Sequence, residues 1–375
     1  MNKNICTSIM VVSALCTAAV AAPTQAREIV VAQVAAFSGP LGDRGKGIHA
    51  GIQLYFDKVN AGGGVNGARI RFISKDDGYK PAETVRLVKE TIAAERPVAF
   101  IGSVGTTNVE ALIKERVLID ANVPLLGTSS GASSLVGAPN VFMTKATYHD
   151  EADKLFGILA STGVNSVGVV YQDDSFGADV IAGLEKAAAK TGIQIAVKAP
   201  FPRNTTDVKA AVAQVIKANP PLIYLAAATS GAIEFIKEYR QLGGAAQIYG
   251  ISVIDGAAIA AKLGTGTARG FAWGTVVPPA NARGFAIVRE YQELAARSKD
   301  PNLSAQSLEG FIAAKVLVHA LRRAKTPTPA ALAQALAATS RLDLGDYTID
   351  YSDKNRAGGR FVDFAILGGQ GQIIR

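Results

Sequence analysis

The stretch Pro81–Thr107, PAETVRLVKETIAAERPVAFIGSVGTT, holds a helix, a stop, a strand and a turn in direct succession. Val85, Val88 and Ile92 recur at i, i+3 and i+7, one apolar face of a helix that opens after Pro81. Pro97 stops it, and Val98–Ile101 is a short buried strand. Gly102-Ser103-Val104-Gly105-Thr106-Thr107 then turns the chain into a helix over Asn108–Asp120, with Thr107 and Glu110 at the spacing of a capping box. Free N–H groups and the helix dipole at that end form a carboxylate or phosphate site at a strand's C-terminal edge. A well-capped helix without a ligand is the other reading of the same residues.

Working outward, the alternation continues. Glu28–Ala36 is an apolar β-rich run, Gly47–Asn60 a helix and Arg69–Lys75 a strand. The order recurs later: strand Ile193–Ala199, helix Thr206–Asn219 with Val208, Val212 and Val215 on one face, then Pro220-Pro221, strand Leu222–Ala226 and helix Ala232–Leu242. Such alternation predicts an α/β fold with mainly parallel sheet, and the recurrence predicts two lobes of like construction. Residues 283–338 add three helical stretches, and Tyr347–Ile374 ends in strand-like segments around Gly358-Gly359 and Gly368-Gly369.

Composition removes several function classes. With 49% hydrophobic and 19% charged residues in 375, the chain is not disordered, and its length fits about two domains. Three His and two Cys leave no material for a thiolate zinc site, so neither metal nor cofactor is expected. The formal charge of +8 is dispersed, with no Lys/Arg run longer than two, which argues against nucleic acid as a partner. The N-terminus has a positive Lys3, an apolar run Ile9–Val20 and small residues to Ala26, the pattern of a secretory signal peptide at residues 1–26. Ala22 is the alternative cleavage point. Cys16 follows Leu15, larger than the small residue that lipid attachment wants. Cys6 and Cys16 both leave with the segment, and the mature chain is expected in the periplasm.

Two motifs are decoys. Gly62–Gly67 matches GxGxxG but follows a helix and precedes a strand, the reverse of a dinucleotide fingerprint. Gly127-Thr128-Ser129-Ser130-Gly131 matches the GxSxG elbow of serine hydrolases, yet Gly131, Gly137 and Pro139 make the following residues a loop instead of a helix. No catalytic residue is assigned. A polar cleft is the better use of this material. Arg44 follows the Ser38–Gly42 loop, Tyr148 lies where the first lobe's pattern ends, and Phe176 opens a helix after the strand Ser166–Tyr171. Asp76 and Asp77 resemble a carboxylate pair, but adjacent acids after a strand face opposite ways and cap turns.

Phe37-Ser38-Gly39-Pro40, Asn60–Gly63, Asp76-Asp77-Gly78-Tyr79, the Gly102–Thr107 turn, Val123-Pro124-Leu125 with its Ser/Gly loop, Tyr171–Gly177 and Ser307-Leu308-Glu309-Gly310 fall in one order. That order resembles the leucine/isoleucine/valine-binding family of periplasmic substrate-binding proteins, type I, which feed ABC importers. The resemblance covers essentially the whole mature chain. It implies two Rossmann-like lobes joined by three crossing strands, with ligand in the cleft between them. By analogy lobe one is 27–147 plus 276–341, and lobe two is 148–275 plus 342–375.

Carried over residue by residue, the resemblance places a ligand α-carboxylate at Gly105 and Thr106, and an α-ammonium at Ser129 and Gly131. Phe176 matches the closing aromatic residue, where tyrosine is common, and Ala228 matches a second position that is aromatic in those binders. The family's lobe-two carboxylate for the ammonium is replaced near Ser252, with Asp255 three residues on. A buried ammonium without a partner is costly. The ligand classes left open are therefore an amino acid, an aromatic or other small carboxylate, or an amide, with Arg44 as charged partner. The expected function is a monomeric exported receptor that closes on a small ligand and delivers it to an inner-membrane ABC permease. A sensory receptor of the same fold is the alternative, and an exported hydrolase using Ser129 the remote one.

Overall fold

The computed structural model describes residues 27–354 and 357–374; the expected signal peptide lies outside the described residues. The chain begins with β1 (Glu28–Ala35), α1 (Gly42–Ala61), β2 (Arg69–Asp76), α2 (Pro81–Glu95), β3 (Ala99–Ile101), α3 (Thr106–Lys114), α4 (Val117–Asp120), β4 (Leu125–Leu126) and β5 (Val141–Phe142). It crosses into α5 (Tyr148–Ser161), β6 (Ser166–Asp173), α6 (Ser175–Thr191), β7 (Gln194–Pro202), α7 (Lys209–Ala218), β8 (Leu222–Ala226), α8 (Thr229–Gln241), β9 (Gln247–Gly250), α9 (Gly256–Ala268) and β10 (Ala272–Thr275). It returns through α10 (Ala286–Ala295), α11 (Ser307–Arg323), α12 (Pro329–Ala337) and the hairpin β11 (Leu342–Asp343) and β12 (Thr348–Ile349), then ends in β13 (Asp363–Leu367) and β14 (Ile373–Ile374). Among the described residues no helix is long and apolar enough to cross a membrane.

Two sheets result. The first is parallel throughout, in the order β2-β1-β3-β4-β5. The second runs β14-β13-β10-β9-β8-β6-β7, with β13 and β14 antiparallel to their neighbours and the rest parallel. The run β7-β6-β8-β9-β10 repeats the winding of the first sheet, which is the recurrence seen in the sequence. In each sheet the winding reverses beside its founding strand, at β1/β3 and at β6/β8. Such a reversal splays the following helices apart and leaves a crevice at the strand C-termini.

The helices differ most from expectation in α1 and α3, while α7 starts three residues later than expected and α8 three residues earlier. α1 starts at Gly42 instead of Gly47, because its first turn presses onto the preceding loop. A Cβ on Gly45 would lie 1.8 Å from the Ala36 carbonyl oxygen, so only glycine allows that approach. The helix expected over Asn108–Asp120 is two, α3 and α4, broken where Arg116 adopts a left-handed φ of 55°.

Parallel strands buried on both faces give two cores. One lies between the first sheet and α1, α10, α11 and α12, with Ile52, Phe56, Phe311 and Leu317. The other starts on the opposite face at Val88 and Leu112 and continues without a break through Tyr148 and Phe176 into the second sheet. Leu344, Tyr347 and Ile349, within the segment that the resemblance assigns to lobe two, join the first core. The crossings are tied together by the buried Tyr347 hydroxyl, which faces the Thr144 carbonyl at 2.7 Å and the Val276 carbonyl at 3.2 Å.

α1 and α11 meet through reciprocal glycines. A Cβ on Gly51 would lie 1.8 Å from the Ser307 carbonyl oxygen, and one on Gly310 would lie 2.1 Å from that of Ile48. Gly310→Ala should therefore destabilise the protein by about 1–3 kcal/mol through overpacking, despite alanine's better helix propensity. Gly157→Ala, mid-helix in α5 with nothing near its would-be Cβ, should stabilise by about 0.5–1 kcal/mol. Denaturation midpoints of the pair check this, and equal shifts would refute the close-approach account.

Candidate functional site

The two topological reversals face each other. From the first sheet come α1 after β1, the N-terminus of α3 after β3 and the Ser129 loop after β4. From the second come α6 after β6, α8 after β8 and the loop after β9. Between them is a residual cavity of about 20 Å³, room for about one water centre. Arg44, Gly105, Thr106, Ser129, Tyr148, Phe176 and Ala228 line it. Leu41, Tyr79, Val104, Gln172 and Val253, not singled out in the sequence, complete the wall. Each follows the C-terminal end of a strand or closes one, and that position was their only sequence signal.

Arg44 is 3% exposed and touches both lobes. Its Nε donates to Ser129 Oγ at 2.5 Å and its Nη2 to Glu309 Oε1 at 2.8 Å. Its Nη1 points at the Ser252 and Val253 carbonyls, 3.5 and 3.3 Å away in the opposite lobe. Lys145 sits behind, donating to the Ser129 carbonyl at 2.9 Å and lying 3.5 Å from Glu309 Oε2. Burial opposes the charge on Glu309, but Arg44 and Lys145 outweigh it and hold the carboxyl below its usual range. Burial lowers the Lys145 ammonium, against the pull of Glu309.

The helix end at α3 is open. Its N-cap is Gly105, at φ 102°, with no side-chain cap. The expected capping box does not form: Thr107 Oγ1 donates to Asp174 Oδ2 at 3.2 Å, and Glu110 accepts from Ser134 Oγ at 2.6 Å. A left-handed glycine at the cap shifts the first turn by two residues and leaves it without a side-chain cap where Gly105 and Thr106 border the cavity. Thr106 Oγ1 shares a 2.7 Å hydrogen bond with Ser130 Oγ. Tyr148 and Phe176 meet edge to face, with centroids 5.2 Å apart.

Gly131, Ser252 and Asp255 are not on this wall. Gly131 lies behind the Tyr148 ring and accepts from Tyr148 N at 2.8 Å. Ser252 turns inward, where its N–H and hydroxyl donate to Glu151 at 3.0 and 2.6 Å. Asp255 is the N-cap of α9, accepting from Ala257 N and Ala258 N. Ser252 and Asp255 instead border a neighbouring cavity of about 300 Å³ beside the second crossing. Asp76 and Asp77 also cap, the first accepting from Phe37 N and Gly78 N, the second from Tyr79 N and Thr84 Oγ1.

The lobes touch directly around the cavity. Arg203 donates to Asp174 Oδ2 in its own lobe and to Asn108 Oδ1 in the other, both at 2.8 Å, and stacks 4.0 Å from the Tyr79 ring centroid. Gln172 Nε2 donates to Tyr79 Oη at 2.9 Å, and Ser133 N and Oγ donate to Asp179. His149 Nε2 is bonded to the Asp179 carbonyl at 3.0 Å. The contacts of Arg203 with Asn108 and Tyr79, of Gln172 with Tyr79 and of Ser133 with Asp179 exist only with the lobes together.

Glu151 makes the region pH-sensitive. Burial pushes its carboxyl from 4.5 up to about 7, although Lys145 and the Ser252 hydrogen bonds pull the other way. Between those values the folded protein holds a proton the unfolded chain has released, so stability falls as pH rises from about 4.5 to 7. The ceiling of that loss is ~3 kcal/mol. Glu151→Gln cannot titrate. Its melting temperature relative to the native protein should climb as pH is raised through that window, and a pH-independent difference in thermal melts would refute the assignment.

The periplasmic binding protein family matches residues 28–365. Over 367 residues the chain is 23% identical to Leu/Ile/Val-binding protein homolog 7 of Brucella abortus (strain 2308), covering 89% of this chain and 86% of that protein. A substrate-binding periplasmic protein from Ralstonia solanacearum has a TM-score of 0.89 at 38% identity, covering 92% of this chain and 99% of its own. A branched chain amino acid ABC transporter protein from Thermus thermophilus, with bound valine, shares the fold at a TM-score of 0.80 and 22% identity, covering 93% and 95%. Twin lobes wound alike, a cleft at their facing strand ends and a match along nearly the whole described chain agree, and the protein belongs to the periplasmic binding protein family with kinship to its leucine/isoleucine/valine-binding members.

Proposed function

We propose that this protein is the exported, monomeric solute receptor of an ABC importer. It closes its lobes on a small carboxylate and hands that ligand to an inner-membrane permease. The observation that carries the reading is the buried Arg44 guanidinium beside the uncapped α3 N-terminus, at a cavity lined from both topological reversals. A guanidinium, a hydroxyl and helix N–H groups converging on one point suit an anion's oxygens. The valine held by the Thermus thermophilus neighbour also carries a carboxylate. Closure follows from ligand bridging both lobes, which favours the closed state only by its differential affinity for it.

Thermal-shift screening against small carboxylates tests this. A true ligand at a hundredfold excess over Kd should stabilise by about 2.7 kcal/mol, a shift of a few degrees. Thr106→Val keeps the shape but deletes the hydroxyl, and should weaken binding by about five- to hundredfold. Asp255→Asn, at a helix cap off the cavity wall, should leave affinity unchanged. Arg203→Ala should enlarge the ligand-free protein in small-angle scattering and let ligand contract it, since the Asn108 and Tyr79 contacts no longer hold the lobes together. Undiminished binding in Thr106→Val would place the ligand elsewhere.

A further inference from the structure

Resting on that reading, we infer that the ligand is a monocarboxylate with an apolar body and no α-ammonium group, because the cavity wall already carries a resident cation and no acidic side chain among the described residues. An ammonium brings three N–H donors and a full charge, and in a closed cleft each must be answered by the protein. The cavity wall carries no acidic side chain among the described residues. The acceptors just behind it are engaged by the protein's own donors. The Ser252 and Val253 carbonyls face Arg44 Nη1. Glu309 presents one oxygen to Arg44 and the other to Lys145. Both oxygens of Glu151 accept from Ser252, and the Ser129 carbonyl accepts from Lys145.

A ligand ammonium would also sit against two fixed cations. Arg44 is on the wall, and Lys145 lies 5.9 Å from the centroid of the Tyr148 ring that forms part of it. Like charges brought together out of water are strongly disfavoured. Donors, by contrast, are in surplus. Ser129 Oγ accepts from Arg44 Nε, so its own proton remains to be given, and the first turn of α3 has no side-chain cap. Leu41, Val104, Phe176, Ala228 and Val253 make most of the remaining wall apolar, with the Gln172 amide, which donates to Tyr79 Oη and Asp174, as its polar exception. With about 20 Å³ free in the closed arrangement, the body must be small and the lobes must part to admit it.

Calorimetric titration of the mature chain with two matched pairs tests this: 4-methylpentanoate against leucine, and 3-phenylpropanoate against phenylalanine. Within each pair the molecules differ by the ammonium alone. The acid of at least one pair should bind, and its amino acid should bind at least about a hundredfold more weakly. Arg44→Gln should weaken the acid and narrow that ratio, since removing the resident cation removes the repulsion. An amino acid that binds as tightly as its acid, with Thr106→Val weakening both, would overturn the inference and leave the carboxylate reading standing. If no member of either pair and no other small carboxylate binds, the carboxylate reading fails and this inference with it.

Discussion

The Arg44 guanidinium is the point on which the two halves of the molecule converge. It joins Ser129 after β4, Glu309 on α11 and the carbonyls of Ser252 and Val253 after β9. A cation removed from water this completely tolerates no missing partner, since an uncompensated buried charge costs about 3–5 kcal/mol. Its placement therefore constrains everything around it. Gly45 lets the first turn of α1 lie on the Ala36 carbonyl, and the Gly51 and Gly310 contact brings α11 near enough for Glu309 to reach across. Small residues in two helices thus decide where one charge sits.

The pair Arg44–Glu309 is better understood as a positioning device than as a source of stability. Replacing a buried ion pair with apolar residues is often neutral or favourable, whereas losing one member is not. What the cluster supplies is direction. Lys145 and Glu309 hold the guanidinium against Ser129, and Glu151 holds the Ser252 loop so that its carbonyl faces Arg44. Stability of the closed arrangement comes from elsewhere: the continuous apolar core across the cleft, and the Arg203, Tyr79, Asn108 and Gln172 contacts at its rim.

The closed cleft also separates two kinds of polar residue that look alike along the chain. Thr106 and Ser129 face the cavity, while Ser252 and Asp255 are spent on Glu151 and on the first turn of α9. Both kinds sit in loops after strands. All four have internal partners, and only the packing of the lobes decides which of them reaches the cavity wall.

Local order was therefore legible and partnership was not. Apolar spacing in 85–92 and 208–215, the prolines after α2 and α7 and the glycine turns determined α/β layers wound twice, because helix and strand periodicity are properties of adjacent residues. Loops at strand ends pointed to Arg44, to the Gly102–Thr107 turn and to Phe176 for the same reason, whereas Ser129 entered through the family resemblance. Only the tertiary structure decided that Arg44 meets Glu309, 265 residues away, and that Glu151 claims Ser252, 101 residues away. It alone decided that a left-handed Gly105 replaces the Thr107–Glu110 cap, and that the hairpin at Leu344 and Ile349 packs with the first sheet. A buried charge is answered by whatever the folded chain brings within about 3 Å, and no spacing along the sequence records that distance.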